Sequence, residues 1–330
     1  MAFLNKIFSI KKDGYTKYIT ILGIKIKRTN RIKKLEEEIK NLKYKLYRYC
    51  PDEKRAEAMK DWYFDKTGEI LDLKNPKTFN QKIQWLKLYD STPIKTRLAD
   101  KYLVREWVKE KIGEDFLIPL LGVYEKFEDI DFDDLPERFV LKTNHGAGYN
   151  YIVKDKSKLN KKLLKSIFDK WMNTNYAYVN GLELQYKDIK PLILIEKYLE
   201  NENEELNDYK FYCFDGKVQY IQYISERSNG YKMKFFDRDW NPQNFVSNHS
   251  MLKIFPKKLD NLQSIINVVE KLAQGFMFVR VDLYVLDNGD VKFGEMTFTP
   301  ASGTLNWQPE NMDMVMGSFL KIDFNREVNI

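Results

Sequence analysis

The chain has 330 residues, 43% hydrophobic and 15% aromatic, enough to bury the core of one large α/β domain or two smaller ones. Its formal charge of +7 is unevenly placed: residues 1–50 hold 14 Lys and Arg against 4 Asp and Glu, and the other 280 residues hold 41 against 44. Two cysteines (Cys50, Cys213) and two histidines (His145, His249) match no zinc or redox spacing, no apolar run is long enough to cross a bilayer, and no signal-peptide pattern opens the chain, so a cytoplasmic protein is expected.

In chain order, Ile19, Ile21, Leu22, Gly23, Ile24 and Ile26, with Lys25 and Lys27 between, predict a small hairpin over 15–29 that turns near Gly23. Ile32, Leu35, Ile39, Leu42, Leu46 and Tyr49 then recur at 3,4,3,4,3 spacing, a heptad seam flanked by Lys and Glu. Residues 31–49 therefore read either as a homodimer or partner-helix contact, or as an ordinary amphipathic helix packed on the body. The basic segment 1–50 could attract nucleic acid or an anionic membrane surface. The body has no basic stripe with interleaved aromatics, so nucleic acid is not an expected partner.

Pro51 ends that helix. Residues 51–115 form a helical region, with helices expected around 53–66, 78–90 and 95–112; Asn80, Gln84 and Trp85 fall on the second. Over 116–330 the texture changes. Strands are expected at 117–124, 138–143, 150–154, 192–199, 208–214 and 217–225, with helices near 157–175 and 256–274. Such a mixture predicts an α+β domain with substantial antiparallel sheet.

Several stretches carry chemistry. Asp100-Lys101 opens a helix that also bears Arg105. A strand ending in Lys142 runs into Asn144, His145, Gly146 and Gly148, a turn whose backbone N–H groups suit a phosphate. Neither a Walker A motif nor a G-x-G-x-x-G follows a strand, so any nucleotide is bound in another way. Glu196, at the end of an apolar strand, could accept from an adenine amine or be a solvated strand end. Asp208, Lys210 and Tyr212 share one face of a strand. Residues 278–286 and 290–297, with Asp287, Asn288 and Gly289 between, predict a hairpin. Asp282 and Glu295 then sit on neighbouring strands with Arg280 nearby. Such carboxylates seat Mg²⁺ and a polyphosphate, or else are scattered charges on a solvated hairpin.

The order of these pieces resembles the ATP-grasp fold. The segments around Asp100-Lys101, Ile112-Gly113-Glu114, Ile118-Pro119-Leu120-Leu121-Gly122, Lys142-Thr143-Asn144-His145-Gly146, Asp208-Tyr209-Lys210 and Phe293-Gly294-Glu295-Met296-Thr297, with Pro300 and Gly303 after, resemble its TupA-like branch over roughly 52–325. That branch is associated with bacterial cell-surface polysaccharide and teichuronopeptide synthesis. The first 50 residues lie outside the resemblance and are similar to leaders of capsule and lipopolysaccharide enzymes.

The resemblance implies two α+β lobes sandwiching ATP. Lys101 and Lys142 would contact phosphates, and Asn144, His145, Gly146 and Gly148 would form the flap over them. Glu196, with the backbone of Lys197 and Leu199, would read adenine, and Asp208 would lie near the ribose. Asp282 and Glu295 would hold Mg²⁺, with Thr297 where many ATP-grasp enzymes carry an asparagine ligand. Arg280, assisted by Lys210, would face the transferred phosphoryl group.

The implied reaction joins a carboxylate to an amine through an acyl phosphate. The expected substrates are a carboxylate-bearing glycan or sugar nucleotide, notably a uronic acid of a capsular polysaccharide, and an amino acid or small amine. The expected place is the cytoplasm, with peripheral contact to the inner membrane face or to polysaccharide assembly proteins. The alternative is a glycosyltransferase of the same pathway, for which Asp237-Arg238-Asp239 and Asp131-Phe132-Asp133 match a D-x-D pattern. A non-catalytic scaffold assembling through 31–49 is a third reading, opposed by Lys142, Asp282 and Glu295.

Overall fold

The computed structural model describes the backbone of residues 8–13, 16–21 and 24–29, and then residues 31–201, 206–225, 232–248, 250–252 and 256–324. His249 lies outside the described residues. The chain forms two compact units, residues 1–54 and 55–330.

In the first unit, β1 (Phe8–Asp13), β2 (Thr16–Ile21) and β3 (Ile24–Thr29) form an antiparallel meander. Ile21 stands opposite Ile24, so the hairpin predicted near Gly23 is present, with its turn outside the described residues. β1 is a strand that the alternation did not reveal. A helix, Arg31–Arg48, follows, with Lys45 and Arg48 in its last turn where cations complement the helix dipole.

The second unit begins with the helices Arg55–Thr67 and Phe79–Tyr89. The Thr78 hydroxyl accepts from the Gln81 N–H at 3.2 Å and starts the latter. The helix expected over 95–112 is two, Pro93–Ala99 and Val104–Ile112. Asp100 breaks it. Its Oδ1 accepts from the N–H groups of Tyr102 and Leu103, at 2.8 and 3.2 Å, and so competes with the helical carbonyls.

Two sheets follow, antiparallel throughout except for the parallel pairing of the short edge strand Ser250–Met251 with Lys232–Asp237. β4 (Leu120–Tyr124), β5 (Phe139–Thr143), β6 (Asn150–Val153) and β7 (Ile193–Lys197) form one in the order β4-β7-β5-β6. The other contains β8 (Asn207–Phe214), β9 (Lys217–Ser225), β10 (Lys232–Asp237), β12 (Ser250–Met251), β13 (Phe278–Val285) and β14 (Val291–Thr297), in the order β12-β10-β9-β8-β13-β14. β11 (Val246–Ser247) pairs with β15 (Trp307–Gln308). The helices Lys161–Met172 and Leu262–Ala273 pack with these sheets, and a short one, Met312–Phe319, follows near the end of the described residues.

Period-two alternation sorts each strand between a core and a site. On β13, Val279, Val281, Leu283 and Val285 join Val108, Ile265, Ile266 and Val269 of two helices in one core. Arg280, Asp282 and Tyr284 take the opposite face. On β5, Phe139 and Leu141 enter a second core with Leu164 and Phe168, leaving Val140 and Lys142 on the other side.

The loop after β14 is tied to the Phe79–Tyr89 helix by buried polar groups. Asn80 Nδ2 donates to the Leu305 carbonyl at 2.8 Å, and Gln84 Nε2 donates to the Gly303 carbonyl at 2.8 Å. Lys87 donates to Gln84 Oε1 at 3.0 Å and lies 4.1 Å from the centre of the Trp62 ring. Gly303, at φ +70°, leaves no room for a side chain: a Cβ there would lie 2.3 Å from Gln84 Nε2. Gly303→Ala is therefore expected to destabilise the protein by about 2–3 kcal/mol, read as a lowered urea midpoint with unchanged slope. An unchanged midpoint would show that the loop is not clamped here.

Candidate active site

A cavity of about 300 Å³ lies between the two sheets. One wall comes from the four-stranded sheet and its exits, with Val140, Lys142, Ile152, Glu196 and Leu199 among its residues; the facing wall includes Tyr284 and Gly294. Apolar surface with a few charged groups is the usual character of a small-molecule site. Lys142 Nζ lies 2.6 Å from Glu196 Oε2, and Arg105 lies 3.9 Å from the same carboxylate. Lys197 and Leu199 also line the cavity, although the Lys197 N–H already donates to the Pro119 carbonyl at 3.0 Å.

The hairpin β13–β14 supplies the other half. Asp282 stands directly opposite Glu295, and Arg280 opposite Thr297, so all four face one side. The pairing then slips: Leu283 faces Phe293, leaving Gly294 as the extra residue of a bulge. Phe293 and Glu295, two apart, would otherwise share a face. The bulge sends Phe293 into the core and Glu295 to the site. No alternation in the sequence reveals this device; Gly294 inside a strand is its one signal.

Arg280 organises the cluster. Its Nε donates to Asp282 Oδ1 and its Nη2 to Asp282 Oδ2, both at 2.7 Å, and Nη2 also reaches Glu295 Oε1 and Thr297 Oγ1 at 3.0 Å. The Thr297 hydroxyl donates to Glu295 Oε1 at 2.7 Å, which makes it a support for Glu295 in this arrangement. Lys210 contacts Asp282 and lies 2.9 Å from Asp208. Asp208 adjoins the cavity through its cross-strand partner Tyr284, which lines it.

Burial opposes charge on Arg280, Lys210, Asp282 and Glu295; the mutual attractions win on three of them, whereas the Asp282 carboxyl is pushed above its ordinary range by burial, against the pull of Arg280 and Lys210. The guanidinium of Arg280 is held above its ordinary range by Asp282 and Glu295, despite burial. Burial would lower the Lys210 ammonium, but Asp208 and Asp282 raise it. Burial would raise the Glu295 carboxyl, but Lys101, Arg280 and Lys210 together hold it at about 2. Lys101, lowered by burial, feels both Glu295 and Glu196, and so links the two halves of the site.

The turn after β5 is fastened from below. Asn144 Oδ1 accepts from the Leu192 N–H at 2.7 Å, and its Nδ2 donates to Asp100 Oδ2 and to the Lys190 carbonyl, both at 2.9 Å. Lys101 donates to the Gly146 carbonyl. Gly146, at φ +85°, packs so closely on Tyr176 that a Cβ would lie 2.3 Å from its ring. The side chains of Asn144 and His145 therefore point into the protein, which leaves the backbone of the turn, and not these side chains, free to meet a ligand.

His145 is buried, and its Nε2 donates to the Trp171 carbonyl at 3.1 Å. Burial lowers its pKa below the ordinary 6.5. Below pH 6.5 the unfolded chain takes up a proton that the folded chain refuses, so stability is complete above that value and is lost as pH falls. The loss approaches about 1.4 kcal/mol per pH unit while only the unfolded state is protonated. Thermal melts of native protein and His145→Gln on either side of that pH should show a steeper fall for the native chain. Parallel curves would refute a neutral buried imidazole.

In the sequence Arg105, Asn80 and Gln84 stand out only as members of their helices, with no role attached, and Lys87 and the cavity residues Ile152 and Tyr284 do not stand out as site residues. The clamp of Asn80, Gln84 and Lys87 had a signal: polar residues spaced by four and three share one face with the apolar Ile83 and Leu86. Both D-x-D pairs are spent on turns. Asp237 Oδ1 accepts from the N–H groups of Asp239 and Asn241 at 3.0 and 2.8 Å, and Asp131 Oδ1 from that of Asp133 at 2.9 Å.

A cavity between two sheets, with lysines on one wall and the carboxylate-bearing hairpin beside the other, has the parts that the ATP-grasp resemblance implies. The sequence model of the TupA-like ATP-grasp family matches residues 81–321, and the chain belongs to that family. Solved structures that share part of the fold include a D-alanine–D-alanine ligase of Bacillus anthracis, 20% identical, matched over 61% of this chain and 56% of that one with a TM-score of 0.35. N5-carboxyaminoimidazole synthetase of Staphylococcus aureus is 16% identical over 61% and 44%, TM-score 0.35. An L-amino acid ligase of Bacillus licheniformis is 13% identical over 67% and 49%, TM-score 0.40. The chain thus spans only about half the length of these structures. A comparison with curated proteins finds no match.

Proposed function

We propose that the protein is an ATP-dependent carboxylate–amine ligase that forms an amide through an acyl phosphate. One observation carries the reading: the cavity holding Lys142 and Glu196 ends at the strands that present Asp282, Glu295 and Arg280. Adenine would occupy the apolar part between Val140, Ile152 and Leu199. The phosphates would run toward Lys101, Lys142 and the backbone of residues 145–148.

The donor set fits Mg²⁺. Asp282 and Glu295 offer hard oxygens, and among the described residues no three His, Cys, Asp or Glu side chains cluster to cage a metal alone. That suits an ion which shares its shell with substrate phosphates. When bound, Mg²⁺ would neutralise charge on the β- and γ-phosphates. Arg280 and Lys210 would hold the transferred phosphoryl group and the acyl phosphate. A carboxylate oxygen attacks the γ-phosphorus as the bond to ADP breaks; the amine nitrogen then attacks the acyl carbon, and phosphate leaves. Positioning in a closed, dry cavity supplies most of the rate.

For substrates, the family association supports a uronic acid of a bacterial surface polysaccharide, as glycan or sugar nucleotide, with an amino acid or small amine as acceptor. The basic residues 1–50 support work at the inner face of the cytoplasmic membrane. Among the described residues no helix is long and apolar enough to cross a membrane. The test is phosphate release from Mg·ATP with uronic acids paired against amines. Release that requires both substrates supports the proposal. A melting temperature raised by a uridine diphosphate sugar and unmoved by Mg·ATP would refute it in favour of glycosyl transfer.

A further inference from the structure

We propose that the helix Arg31–Arg48 joins two copies of this chain as a parallel, in-register coiled-coil dimer. The seam residues Ile32, Leu35, Ile39, Leu42, Leu46 and Tyr49 are each between 52% and 73% exposed. The one buried side chain on this helix, Tyr47, lies off the seam. Six large apolar side chains in one stripe form a surface that a monomer rarely leaves in water.

The residue choice selects the occupant. With Ile32 at heptad position a, the a positions hold Ile32, Ile39 and Leu46, and the d positions hold Leu35, Leu42 and Tyr49. β-Branched residues at a with leucine at d favour two parallel strands over three or four. The flanks agree. In a parallel pair each g residue meets the partner's e residue five positions on, which sets Arg31 against Glu36 of the partner subunit and Glu38 against Lys43 of the partner subunit. Both contacts are attractive, and symmetry doubles them.

An antiparallel pair would also bring the acidic half of one helix, Glu36 to Glu38, against the basic half of the other. Charge alone therefore leaves direction open; the parallel arrangement is the one in which isoleucine at a with leucine at d forms a two-stranded seam. Within one helix, Glu38 lies 3.7 Å from Lys34, an exposed pair that contributes little and competes weakly. Fewer than three heptads make a weak seam, so the dimer should dissociate on dilution.

Sedimentation of the full chain, from low to high micromolar concentration, tests this. The expected result is a rise toward twice the 39.5 kDa chain mass. Leu35→Glu with Leu42→Glu should remain at the single-chain mass throughout. Glu38→Lys should weaken association at least several-fold, and adding Lys43→Glu should restore it. For direction, Leu35→Cys in a Cys50→Ser background should give a covalent dimer on mild oxidation, because only a parallel pair brings residue 35 against itself. A native chain that stays monomeric overturns the proposal, as does a dimer indifferent to the two glutamates. A dimer that never cross-links through residue 35 overturns the parallel arrangement. A monomer that sediments with anionic phospholipid vesicles through the same leucines would assign the seam to a membrane surface instead.

Discussion

Glu295→Gln should fold as the native chain does and lose phosphate release from Mg·ATP by at least about 10²–10³-fold. The side chains match in volume, and the amide oxygen can still accept from Thr297 and Arg280. What disappears is the charge, together with a hard anionic ligand opposite Asp282. Glu295 is the right place to ask because its carboxyl, held at about 2 by three cations, is ionised at any physiological pH. Its loss can therefore not be blamed on a shifted titration. Steady-state phosphate release, with melting curves as the control, checks the expectation. Native turnover in a folded Glu295→Gln protein would remove Glu295 from the site.

Arg280→Met should unfold the protein more readily, by about 3–5 kcal/mol, and abolish turnover as well. The guanidinium satisfies both oxygens of buried Asp282 and touches Glu295. Methionine replaces its bulk but leaves those carboxylates short of a cation, and the melting midpoint should fall by about 10 °C. Arg280→Met combined with Asp282→Asn should recover much of that stability, since one unpaired charge goes with its partner, while turnover stays lost. Strictly additive losses, or a single variant that melts like native protein, would mean that the cluster is not the closed ion-pair network described.

Arg280 and Glu295 touch each other yet hold different roles in the cluster. Arg280 supports the hairpin and, in the proposed reaction, faces the reacting groups, so its removal should move stability and activity together. Glu295 is joined to the fold by hydrogen bonds that an amide can keep, so its replacement should move activity alone.

Local pattern and chemistry were legible from the residues themselves. Alternation over 278–286 and 290–297 announced the hairpin, and the even spacing of Arg280 and Asp282 put them on one face, because a strand repeats every two residues. The heptad seam over 32–49 and the Lys142 turn were equally local. Motifs in a fixed order identified the ATP-grasp family, since each keeps its residues within a few positions of one another.

What the tertiary structure alone decided depends on contacts between distant segments. The register that sets Asp282 against Glu295 required the bulge at Gly294, and the break at Asp100 depends on a carboxylate that also holds Asn144, forty-four residues away. The inward turn of Asn144 and His145, the clamp from Asn80 and Gln84 onto the loop after β14, and the meeting of two sheets around one cavity belong to the same class. Hydrogen-bond partners, burial and the resulting charge states are properties of neighbours in space, and a linear order of residues does not contain them.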